Sequence, residues 1–108
     1  LSGDDALTLP FMSVGAEGVI SVASNIIPRQ LSRMVNSYAT GKTAASLKLH
    51  QQYYPMFRDL FIETNPVPAK AALAMQGKCA EEYRLPLCKM SAENRKRLAR
   101  TLKSCGVI

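Results

Sequence analysis

The chain has 108 residues, 47% of them hydrophobic, and its 14 Lys and Arg against 8 Asp and Glu give a net charge of +6. That length holds one domain at most, with a modest core. The mean hydropathy of -0.04 excludes a disordered polar tract, and no apolar run nears the roughly 18–20 residues of a spanning helix.

From the N-terminus, Asp4 is placed to cap a helix running to about Val14, with Gly15 as its stop and Pro10 weakening its second half. Gly18-Val-Ile-Ser-Val22 is a β-branched run and reads as the one strand in the chain. Pro28 starts the next helix, whose Leu31, Met34, Val35 and Tyr38 follow the i, i+3, i+4, i+7 spacing of a buried face. Gly41 ends it and Thr43 is expected to cap the following helix, over 44–63. There Leu49, Tyr53, Met56 and Leu60 share a face and Pro55 should introduce a kink. Asn65-Pro66 reads as a cap plus a proline at the first helical position, opening an alanine-rich helix that stops at Gly77. After a loop containing Leu85-Pro86-Leu87, a last helix starts at Ser91 and turns Leu98, Leu102 and Cys105 inward. One strand cannot satisfy its own backbone, so the fold reads as incomplete, with only the stub Leu1-Ser2 available for pairing.

Most candidate chemistry has a plainer explanation. Eight of the cationic residues lie from Lys78 onward. The run Arg95-Lys96-Arg97 has no interleaved aromatic and reads as a solvated helix face rather than a nucleic-acid contact. Gly41-Lys42-Thr43 has the ending of a phosphate-binding loop, but Asn36 stands where that motif needs glycine, and a helix precedes it. Asp4 and Asp5 are adjacent and should diverge, which favours capping over paired acid–base work. His50 has no Cys, Asp or Glu at i±3 or i±4 and reads as a half-exposed helix residue. Cys79, Cys88 and Cys105 form no Cys-x-x-Cys pair and leave one thiol over. That excludes a four-ligand zinc site and fits a reducing, cytoplasmic setting. Asn25, just past the end of the strand, is a candidate for a site at a barrel rim.

Three stretches, SGDDALTLPFMSVGAEGVISVASN at 2–25, HQQYYPMFRDLFIETNPVPAKAAL at 50–73 and RLPLCKMS at 84–91, together resemble the C-terminal portion of the bacterial dihydrodipicolinate synthases, in register over essentially the whole chain. The resemblance implies an α/β fold in which residues 1–41 hold the end of strand seven, helix seven, strand eight and helix eight of a (β/α)8 TIM barrel. Residues 42–108 would form a C-terminal helical extension, so the chain itself is mostly α. The implied activity of the intact enzyme is condensation of pyruvate with L-aspartate 4-semialdehyde through a lysine Schiff base, in lysine and diaminopimelate biosynthesis, with no cofactor and no metal. The Schiff-base lysine, a tyrosine and a threonine of the family all fall before Leu1. No catalytic residue is therefore expected in this chain, and none of its seven lysines has a buried strand-end position. The resemblance places the backbone carbonyl of Ile20 at the pyruvate site, Gly3 and Asp4 at the bordering strand-seven turn, and Asn65 at the aldehyde pocket. It also puts Ser13-Val14 near a dimer–dimer contact of a homotetramer, and Ala71 where the family carries an aromatic.

On this reading the chain partners the remainder of the barrel, should be inactive alone, and should fold poorly because strand eight exposes both edges. Other pyruvate-dependent aldolases, such as N-acetylneuraminate lyase or a keto-deoxy sugar acid aldolase, are the nearest alternatives, and SGDD and GVISV argue against them. A small basic helical module for nucleic acid is the alternative of a different class; neither nucleic acid nor a membrane is the expected partner.

Overall fold

The computed structural model describes residues 1–108, and five α-helices dominate it. They are α1 (Thr8–Ser13), α2 (Pro28–Ala39), α3 (Thr43–Asp59), α4 (Val67–Met75) and α5 (Ala92–Ser104), with short 3-10 turns at Asp5–Leu7 and Ala23–Asn25. The anticipated strand over 18–22 does not form as an element. It is reduced to one parallel bridge between Ser2 and Val19, because the Ser2 hydroxyl takes the Asp4 N–H that the next rung would need. That bridge pairs the Gly18 carbonyl and the Ile20 N–H with Ser2, so the expectation of two exposed edges is corrected to one edge paired at its start and one open.

The helix expected over 4–14 is instead a 3-10 turn followed by the six residues of α1. Pro10 therefore sits in the first turn, where no N–H is required, rather than late in a long helix. Gly15 stops α1 at φ +108°, a conformation that a side chain rarely adopts. Pro28 opens α2 as anticipated, and Leu31 and Met34 are buried while Val35 and Tyr38 pack at its margin.

The α2–α3 connection is tight: Gly41 takes φ +80° and the Lys42 N–H donates to the Ser37 carbonyl at 2.7 Å. This holds Lys42 at the cap position and moves Thr43 into the helix, so Thr43 caps nothing. Ser46 is fully buried at the crossing. Its hydroxyl donates to the Met34 carbonyl at 2.7 Å, tying α3 to α2. α3 ends at Asp59, four residues short of the expected 63. Asn65-Pro66 is also not a helix start. The bond is cis, and the Val67 N–H donates to the Thr64 carbonyl at 3.0 Å, so Pro66 occupies the third position of a tight turn and α4 begins at Val67.

One hydrophobic core runs from Leu9 to Cys105 and crosses residue 41 without a break. At its centre are Met56, Leu60, Ala71, Ala72, Leu98 and Leu102, all 0% exposed. Ala71 packs inside this core. Ser91 caps α5 by accepting from the Asn94 N–H, and Leu98, Leu102 and Cys105 face inward as their spacing requires. Asp59, 1% exposed, fastens α5 to α3. Its carboxyl accepts from Thr101 Oγ1 at 2.6 Å and the Arg97 guanidinium at 2.9 Å, while Arg58 adds a third bond at 2.8 Å. No helix is long and apolar enough to cross a membrane.

Candidate functional site

The chemistry-bearing feature is the rim where residues 2–5 meet residues 18–25. Ser2 is fully buried. Its N–H donates to the Gly18 carbonyl at 2.8 Å, and its carbonyl accepts from the Ile20 N–H at 2.9 Å. These two bonds are the start of a parallel ladder, whose next bonds would run from the Asp4 N–H to the Ile20 carbonyl and from the Val22 N–H to the Asp4 carbonyl. Neither forms. The Asp4 N–H donates to Ser2 Oγ at 3.1 Å, and the Asp4 carbonyl accepts from Ser2 Oγ at 2.8 Å and Thr8 Oγ1 at 3.0 Å. The Ile20 carbonyl is left without a backbone or side-chain partner, in a residue that is exposed in this chain.

The adjacent acids diverge, as their spacing predicts. Asp4 is exposed, and its Oδ1 accepts from the Ala6 N–H at 2.8 Å and the Leu7 N–H at 3.3 Å, capping the 3-10 turn. Asp5 is 1% exposed. It reaches across to the other segment, accepting from the Ser21 hydroxyl and from the Ala23 N–H at 2.9 Å. Ser21 in turn accepts from the Ser24 N–H at 2.8 Å, and the Ser24 hydroxyl donates to the Ser21 carbonyl at 2.8 Å. Asn25 is spent locally, its amide donating to the Val22 carbonyl at 3.0 Å.

Gly3, Asp4 and Ile20 are thus brought together by the Ser2 bridge. Asn65 lies apart in the α3–α4 turn, exposed, and no hydrogen bond joins it to the other three. Sequence reasoning missed the Asp5–Ser21 tie. The signal for it was present, since of two adjacent acids at a helix start only one can cap.

The other candidates resolve as structural. None of the seven lysines is buried; Lys70 is half-buried with its Nζ 5.8 Å above the Tyr83 ring. His50 is half-buried, its ring 5.6 Å from Tyr54 and 6.1 Å from Phe57, and burial pushes its imidazole below the ordinary range. Arg95 pairs with Glu81 at 2.7 Å and Arg97 with Asp59 at 2.9 Å, so two cations of the basic run are engaged within the chain. Cys79 and Cys88 are exposed and Cys105 is buried, all as free thiols.

A parallel strand pair joined through a helix is the repeating unit of barrel and doubly wound enzymes, and the solved structures that this chain superposes on are TIM-barrel enzymes. Among them are the 4-hydroxy-tetrahydrodipicolinate synthase of Methylacidiphilum fumariolicum SolV (57% identity, TM-score 0.96, over 98% of this chain and 35% of that one) and the dihydrodipicolinate synthase of Aquifex aeolicus (46%, TM-score 0.95, over 99% and 36%). The 4-hydroxy-tetrahydrodipicolinate synthase of Methanococcoides burtonii is 51% identical over 107 residues, 99% of this chain and 37% of that protein. Residues 1–105 match the dihydrodipicolinate synthetase family, and the chain belongs to it. It spans somewhat over a third of the length of these relatives.

Proposed function

We propose that this chain is the C-terminal part of a synthase that condenses pyruvate with L-aspartate 4-semialdehyde to give 4-hydroxy-tetrahydrodipicolinate, a lyase of lysine and diaminopimelate biosynthesis acting in the cytoplasm. The observation that carries this reading is the family match over residues 1–105. Residues 1–41 supply the end of strand seven, helix seven, strand eight and helix eight of the barrel, and 42–108 the helical extension. The parallel Ser2–Val19 pairing on either side of α1 supports that placement. The three free thiols support a reducing compartment.

Pyruvate is activated as an imine on a lysine contributed by the rest of the protein, chemistry that an amine and a ketone perform without a cofactor. This chain supplies the wall of the site: Ile20 presents its unpaired carbonyl as an acceptor, the Gly3-Asp4 turn borders it, and Asn65 helps shape the aldehyde pocket. An acceptor there suits the N–H of the iminium or the O–H of the carbinolamine that precedes it, and disfavours a second anion. The stripe Leu7, Phe11 and Val14, 45%, 41% and 83% exposed, supports self-association through α1 into a dimer or homotetramer.

Borohydride reduction of the whole protein with pyruvate, followed by peptide mass mapping, tests the reading. An adduct is expected on one lysine outside these 108 residues. No adduct, or one on Lys42, Lys48, Lys70, Lys78, Lys89, Lys96 or Lys103, overturns it.

A further inference from the structure

We infer that Ser2, Asp5 and Ser21 are positioning residues that keep the Ile20 carbonyl free for the substrate, an inference that rests on the synthase reading above. In an uninterrupted parallel ladder the Ile20 carbonyl would be consumed by the Asp4 N–H, and a carbonyl so paired has little left to offer a ligand. Two devices prevent this. The Ser2 hydroxyl takes the Asp4 N–H at 3.1 Å and returns a bond to the Asp4 carbonyl at 2.8 Å. It therefore stands in for both rungs that the ladder forgoes and takes the Asp4 backbone out of the ladder. Asp5 then clamps the strand end from the far side: one carboxyl oxygen receives the Ser21 hydroxyl and the other the Ala23 N–H at 2.9 Å. Ser21 is the residue after Ile20, so the peptide unit carrying the Ile20 carbonyl is held from both sides, by the preceding peptide's Ile20 N–H on the Ser2 carbonyl and by the Ser21 hydroxyl on Asp5.

The burial pattern separates the two functions. Ser2 and Asp5 are 0% and 1% exposed, while Ile20 is 73% exposed. Ser2 and Asp5, which do the holding, are shielded from water, and the carbonyl they hold has no partner within the chain. Neither Ser2 nor Asp5 needs to touch substrate, since both act through the orientation and availability of one carbonyl oxygen.

The test is made in the whole enzyme, with Ser2→Ala, Ser21→Ala and Ser21→Thr. Pyruvate saturation is read alongside the number of borohydride-trapped sites. Ser2→Ala frees the Asp4 N–H to compete for the Ile20 carbonyl, and Ser21→Ala loosens the peptide. Each is expected to raise the pyruvate KM about five- to tenfold, the scale of one hydrogen bond, with kcat at saturating pyruvate within about twofold. Ser21→Thr keeps the hydroxyl and should restore the parent KM. An unchanged pyruvate KM in both alanine variants overturns the inference. So does a fall in trapped sites and kcat together at constant KM, which is the signature of lost folded protein alone. A parent enzyme that traps no pyruvate overturns the synthase reading itself, and the inference with it; the parent control distinguishes the two failures.

Discussion

Replacing Asp59 by asparagine tests how α5 is held. Burial pushes the Asp59 carboxyl up, but the hydrogen bonds from Arg58, Thr101 and Arg97 outweigh it and bring the group from 3.8 down to about 2. A depressed carboxyl contributes stability that is fully present above its unfolded value and is lost as pH falls through the folded one. At about 1.4 kcal/mol per unit, the interval is worth at most about 2.5 kcal/mol. Arg58 and Arg97 are 55% and 46% exposed, so solvent screening brings the figure nearer about 1.5 kcal/mol. Asp59→Asn preserves shape and removes the charge. Urea unfolding of parent and variant at pH 7 should differ by about 1.5 kcal/mol, and the gap should close between about pH 4 and pH 2 as the parent protonates. A difference below about 0.5 kcal/mol at pH 7, or one that persists undiminished at pH 2, refutes the reasoning.

Two further outcomes are expected. Phe57, 2% exposed at the α3 core face, should cost about 3–5 kcal/mol on truncation to alanine, read as a lowered urea midpoint. Among the three thiols of this chain, Cys79 and Cys88 should react with a disulfide reagent in the native state. Cys105 is buried and its thiol is pushed up by that burial, so it should react only on unfolding; peptide mapping after labelling checks the order.

Helices were legible in the sequence where a punctuating residue and an apolar period agreed. Pro28 with Leu31 and Met34 located α2, and Ser91 with Leu98 and Leu102 located α5. Boundaries slipped where a tertiary bond decided them. Thr43 lost its capping role because the Lys42 N–H was drawn back to Ser37, and Asn65 lost its own because the Val67 N–H was drawn back to Thr64. The strand slipped for a different reason, since the β-branched run at 18–22 carries the pattern of a strand but finds one partner, and pairing is not a property of the run itself. At the rim, the resemblance carried by the motif SGDD puts Gly3 and Asp4 at a turn bordering the site of Ile20, and the Ser2–Val19 bridge joins the two segments that carry them. What the motif did not disclose is the division of labour within it. Asp4 and Asp5 are the same residue type one position apart, and only the backbone turn at Gly3 sends one outward and the other into the core. Asp59 was invisible for a related reason. An acid on an apolar face reads as an error in the pattern until Arg97 and Thr101, four apart on another helix, arrive to meet it.

The mode of attachment of α5 bears on how the chain tolerates breakage. Residues 78–91 contain no helix, and Lys78, Arg84, Leu85, Pro86, Cys88 and Lys89 stand in solvent, where a protease or an inserted sequence finds easy access. The helix beyond them is kept by its face rather than its leash: Leu98 and Leu102 are wholly enclosed, and two side-chain bonds to Asp59 come from α5 itself. A chain cut at Arg84 is therefore expected to keep α5 seated, which co-purification of the two pieces after limited proteolysis checks. Contacts, rather than the connection, then dock the last helix, with Arg95 of α5 still paired to Glu81 on the other side of the cut.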